Sequence, residues 1–213
     1  MKHLKMLGSA LVAVSALMAF LGAGTASATP TALCKEPTTF GGLPICEPNH
    51  IYPAGQRIHA NLEAGTSLNI ATPKGVVQCT TSTIDANTEQ QTEIPLGAIV
   101  NVLTFANCHE GPEPVEVITL KNGTLDIEII DLPLWTHDGT LTLTETEITI
   151  RWGNGVDCRY DPGHTGVLTG GPMATIDWFG TLTRTGGVNC PEGNANWNGA
   201  YTVTTPEPLW ISM

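Results

Sequence analysis

Basic residues are scarce in this 213-residue chain: nine lysines and arginines stand against 20 acidic residues, a net charge of −11. Such a surface repels phosphate backbones and anionic lipid, so nucleic acid is not an expected partner. Serine is scarce too. Beyond residue 28 only Ser67, Ser82 and Ser212 occur, and "GTSLN" around Ser67 lacks the closing glycine of a nucleophile elbow. GxxxxGK[ST], GxGxxG and HExxH are all missing, so nucleotide, dinucleotide and common zinc-protease chemistries lack their signatures and no cofactor is implied. There is no Cys-x-x-Cys, and His50, His59, His109, His137 and His164 are scattered singly, so no metal centre is expected. "HDG" at 137–139 and "DPGH" at 161–164 match no calcium loop. No helical stripe and no apolar run of membrane length follows residue 28.

The chain does have an export signal. Lys2, His3 and Lys5 precede an apolar run from Met6 to Leu21, and small residues lead to Ala26-Ser27-Ala28. This pattern predicts cleavage after Ala28, with an uncleaved N-terminal anchor as the rival reading. Cleavage would leave 7 basic and 20 acidic residues, hence −13, and a secreted protein with no membrane span. All six cysteines lie beyond the signal, and an even number outside the cell reads as a disulfide framework. Sequential pairing is expected: Cys34 with Cys46, Cys79 with Cys108, and Cys158 with Cys190.

Residues 29–53 are rich in Pro and Gly and predict an irregular, disulfide-held lead-in. From 54 to 213 period-two patterns dominate and predict a single β domain. "RIHANL" sets Ile58, Ala60 and Leu62 against Arg57, His59 and Asn61. In "VEVITLKNGTLDIEII", Asn122-Gly123 predicts a two-residue hairpin pairing Leu120 with Leu125 and Ile118 with Ile127, all on one apolar face. Asn122 also heads a formal glycosylation sequon, but its role is assigned to the turn. Leu141 and Leu143 fall on odd positions while Ile148, Ile150 and Trp152 fall on even ones, so a bulge or tight turn is expected between Thr144 and Glu147. Gly153-Asn154-Gly155 reads as another hairpin turn, leading into inward Val156, Cys158 and Tyr160. Tyr201 and Val203 share one face of a late strand. The class is all-β: a disulfide-stabilised antiparallel β-sandwich or jelly roll, with a closed β-barrel as the alternative.

Candidate chemistry is thin. Asp157, Asp161, Asp177 and Glu192 are the carboxylates nominated for a glycosidase-type pair, against the simpler reading of solvated turn acids. Trp152 and Trp178 sit on apolar strand phases and are assigned to the core. Trp197, among Asn194, Asn196 and Asn198, is the tryptophan expected to be exposed, and with His164 it is the candidate for ligand binding. Thr140, Thr142, Thr144 and Thr146 read as a solvated sheet face.

The signal segment, "YPAGQRIHANLEAGTS", "GVLTGGPMATID" and "CPEGNANWNGAYTVTTPEPL" together resemble a multi-copy family of secreted proteins from Solirubrobacter-type soil actinobacteria. The resemblance runs nearly the whole chain, and the family's second-half cysteines match Cys158 and Cys190. It implies a lineage and export, but no activity. Two functions are therefore expected. The first is a non-catalytic β domain, binding or structural, outside the cell or at the envelope, with a glycan or envelope component as partner. The second is a secreted carboxylate-dependent polysaccharide hydrolase.

Overall fold

A computed structural model describes residues 30–40, 43–129 and 137–212, without the side chains of Thr39, Phe40, Leu43, Pro44, Pro162 and His164. The expected signal segment and Trp135 lie outside the described residues. Strands dominate, and no helix occurs among the described residues. The first seven strands are β1 (Thr31–Cys34), β2 (Thr38–Phe40), β3 (Leu43–Ile45), β4 (Arg57–Leu62), β5 (Leu68–Ala71), β6 (Val76–Thr88) and β7 (Thr92–Glu93). There follow β8 (Leu96–Glu110), β9 (Glu113–Lys121), β10 (Thr124–Ile129), β11 (Gly139–Thr144) and β12 (Glu147–Trp152). The last are β13 (Asp157–Pro162), β14 (His164–Thr169), β15 (Thr175–Val188), β16 (Ala195–Thr205) and β17 (Trp210–Ser212).

All pairings are antiparallel. Several short strands act as halves of longer runs: β4 and β5 both pair with β6 and with β16, β9 and β10 both pair with β8, and β13 and β14 both pair with β15. Between them, β11 joins β10 to β14 and β12 joins β9 to β13. The expected disulfide-stabilised antiparallel sandwich is thus stitched along its edges around one core. The alternative, a closed barrel, does not form, and the wall is unzipped over one stretch between β8 and β9. Ile99 pairs with Thr124 and Cys108 with Val115, while residues 101–107 and 116–122 make no ladder with each other.

The three disulfides join Cys34 to Cys46, Cys79 to Cys108 and Cys158 to Cys190, the sequential scheme. The lead-in is less irregular than its composition predicts. β1 is wholly buried, lies between β17 and β7, and is tied down by the Tyr52 hydroxyl donating to the Pro208 carbonyl at 2.6 Å. Its partners come from the far end of the chain, which a local pattern cannot reveal.

The Asn122-Gly123 hairpin is a second correction. β9 and β10 do not pair with each other; they run on end to end beside β8. Only Gly123 takes a positive φ, +80°, and a Cβ there would lie 2.2 Å from the Thr144 carbonyl oxygen. The dipeptide makes a close crossing rather than a reversal, since glycine suits both and the partner strand decides. Leu125 and Ile127 are buried as expected, but Ile118 is half-buried and Leu120 is 45% exposed. The phase change after Leu143 falls where it is expected. Glu145 has φ +55°, and the buried Thr146 hydroxyl donates to the Asn122 carbonyl at 2.8 Å. Cys158 and Tyr160 face the core beyond the 153–155 turn.

Many outward strand positions are polar, among them Arg57, Gln78, Thr81, Thr183, Asn196 and Asn198, while Val76, Ile99, Val102, Leu120, Phe179 and Val188 are exposed apolar ones. Among the described residues no helix is long and apolar enough to cross a membrane.

Candidate functional site

Three of the four nominated carboxylates, Asp157, Asp161 and Asp177, do not converge. Asp157 and Asp161 lie on one strand, four residues apart and on the same outward phase, so they are separated by about 13 Å at the usual rise. Asp161 stands opposite Thr183 and Asp177 lies six residues earlier on β15, about 20 Å away along the wall. Glu192 is exposed in the connection between β15 and β16. The shallow pocket beside Asp157 is lined by Glu147, Arg159 and 185–188, and by none of the other three acids. Glycosidic chemistry needs two carboxyls about 5–10 Å apart in one cleft.

Asp157 is moreover committed. It accepts from the Thr149 hydroxyl at 2.6 Å and from Arg151 Nε at 3.0 Å. The Thr149 bond above all, with Arg151 assisting against the opposing effect of burial, holds its carboxyl below the usual aspartate range. A carboxylate held ionised in this way is a poor general acid.

Trp197 is a further correction: it is 1% exposed, with its ring edge-on to Phe105 at 5.4 Å and 6.4 Å from Trp178. Strand alternation sends Asn196 and Asn198 outward and Ala195, Trp197, Tyr201 and Val203 inward. The asparagines flanking it are neighbours in sequence, but they lie on the other face. No ring so buried can stack on a sugar. Trp152 and Trp178 are in the core as assigned. The backbone of His164 stands opposite Leu143, and its side chain lies outside the described residues.

The most developed polar network escaped the sequence reading. Asp85, 8% exposed, accepts from Arg57 Nε at 2.8 Å and contacts His59 Nδ1 at 3.0 Å. His59 Nε2 lies 3.3 Å from Asn61 Nδ2, and Asn61 Oδ1 accepts from the Thr83 hydroxyl at 3.0 Å. Both imidazole nitrogens are thus engaged, one by a carboxylate and one by an amide, and no nucleophile faces either. The network lies across paired β4 and β6 and braces their outer face. The Arg57 bond first, and His59 after it, keep the Asp85 carboxyl below its ordinary range against the effect of burial. A depressed carboxyl stabilises the fold above the unfolded aspartate range, and that contribution disappears as pH falls through it. Asp85→Asn is therefore expected to cost about 1 kcal/mol near neutrality, given the exposure of Arg57, and to flatten the acid limb of stability. Urea unfolding followed from pH 2 to 7 checks this; an unchanged acid limb refutes it.

A groove of 1020 Å³ lies over the unzipped stretch between β8 and β9. Its origin is a conflict of pleats. Leu96, Ala98 and Val100 face the core on even positions, Leu103 and Phe105 turn inward on odd ones, and Cys108 is even again. The changes fall at Asn101, where the β6–β8 register shifts, and at Asn107, with φ +51°. Both keep β8 in step with β6. β9 has its own irregularity, at Leu120 against β12, and continuing the β8–β9 register would set inward Leu103 against exposed Leu120, where the ladder lapses.

Side chains take the place of part of the missing ladder. The Thr119 hydroxyl donates to the Leu103 carbonyl and Asn122 Nδ2 to the Asn101 carbonyl, each at 2.6 Å. Val102 is 40% exposed at the groove, and half-buried Ile118 lines it as well. Among the described residues Glu116 is the one carboxylate lining it, 3.7 Å from Arg151; no serine or histidine does so, and the one cysteine, Cys108, is held in the disulfide with Cys79. Such a lining can bind but has no acid–base pair or activated nucleophile. The legible signal was the double change of phase in "LGAIVNVLTFANC". No family model matches the chain, and no curated protein or solved structure matches it.

Proposed function

We propose that this protein is an extracellular, non-catalytic binding domain whose ligand site is the groove between β8 and β9. One observation above all supports this: this concavity combines an unpaired strand edge with the apolar Val102 and Ile118 and, among the described residues, is lined by no acid–base pair or free nucleophile. Three disulfides suit an oxidising compartment. Export is the role proposed for the first 28 residues, in keeping with the resemblance to secreted actinobacterial proteins. The partner is then a component of the envelope or its surroundings.

The neutral dye Nile red tests the groove. Its emission is expected to rise on adding the protein, and the Val102→Ser variant, altered at an exposed position of the lining, should lose much of that rise. Equal dye binding by the variant overturns the assignment. Release of reducing sugar from xylan, chitin or peptidoglycan overturns the non-catalytic reading.

A further inference from the structure

We propose that the groove takes an extended peptide, which adds as a strand to the edge of β8 at Leu103 and Phe105. This rests on the groove being the ligand site. The occupant follows from the backbone. The carbonyls of Asn101 and Leu103 point into the split, while that of Thr104 points the other way and accepts from the Ser82 hydroxyl on β6. Backbone groups two residues apart in a strand face the same side, so those of Phe105 also face the split, where no ladder to β9 forms. An unpaired strand edge is a template for another strand.

Here the edge lies inside a wall anchored at Ile99–Thr124 and Cys108–Val115, so a second copy of the whole sheet cannot dock on it edge to edge. A single extended segment pairs there by parting β8 from β9 and displacing both bridging side chains, the Thr119 hydroxyl from the Leu103 carbonyl and Asn122 Nδ2 from the Asn101 carbonyl. Main-chain bonds give such binding its affinity and alternate side chains its selectivity. Val102 and Ile118 at the groove favour apolar residues at every second position. At the groove Glu116 is balanced by Arg151, and the net charge of −11 favours a neutral or basic segment over an acidic one.

The probe is an acetylated heptapeptide of alternating valine and threonine with lysine at each end, titrated by calorimetry. Two N-methylated forms accompany it, each blocking the amides of one edge. Strand addition requires that one form bind like the parent and the other at least about tenfold more weakly, since several main-chain bonds are lost. Binding should also slow amide exchange at Phe105. Thr119→Val keeps the side-chain shape and removes the competing hydroxyl, so it should tighten binding about threefold.

Equal binding by both methylated forms overturns strand pairing. No binding by the parent peptide, while Nile red still enters the groove, overturns the peptide proposal and leaves the groove standing. Loss of both signals removes the groove itself. Binding of chitin or xylan oligosaccharides in place of the peptide assigns the site to a glycan and rejects this proposal.

Discussion

Replacing Trp197 with alanine is expected to cost about 3–5 kcal/mol of stability, the range for deleting a large buried aromatic whose neighbours cannot collapse fully into the void. The ring is among the largest fully buried side chains, and Phe105 and Trp178 pack around it. Phe105 is also part of the groove lining, so the same substitution should loosen the inner side of the split. Urea unfolding measures the stability loss, and Nile red emission reports the groove. Trp197→Phe should recover part of the loss by refilling some of the volume. A loss below about 1 kcal/mol would show that the ring is not a core element.

Removing the Cys79–Cys108 disulfide by the Cys79→Ala/Cys108→Ala double substitution is expected to cost about 3–4 kcal/mol in the chain-entropy account. The two cysteines are 29 residues apart and stand directly opposite each other on β6 and β8. Cys108 is also the position where β8 regains its pairing with Val115, at one end of the unzipped stretch. Amide exchange should therefore accelerate around Val115 more than at the other end, near Thr124. The shorter Cys34–Cys46 link, 12 residues apart, should contribute somewhat less in the same account. Denaturation of the two double variants side by side tests the order. Equal stability of the wild type and the Cys79/Cys108 variant would refute it.

Much of the candidate chemistry could be weighed, and mostly dismissed, residue by residue. Cys158 and Tyr160 alternate inward with Asp157 and Arg159 outward, so the acids of that segment belong to a wall, not a cleft. Trp197 was legible as well: it continues the odd phase of Tyr201 and Val203, and only the adjacent asparagines made it look exposed. The Arg57–Asp85–His59 network was not legible, because Asp85 reaches the other two only through the pairing of β6 with β4.

What the sequence determined by itself is local: strand character, the inward phase within each strand, the break between Thr144 and Glu147, and a cysteine set able to close three loops. Only the tertiary structure decided which strands meet. Asn122-Gly123 is chemically fit for a hairpin, yet pairing of β10 with β8 makes it a crossing. The groove has the same origin. Each of β8 and β9 has an acceptable side-chain phase of its own, and the split appears because β8 follows β6 and so cannot also match β9. A period of two is written in each strand, but agreement between two periods exists only once the strands are side by side.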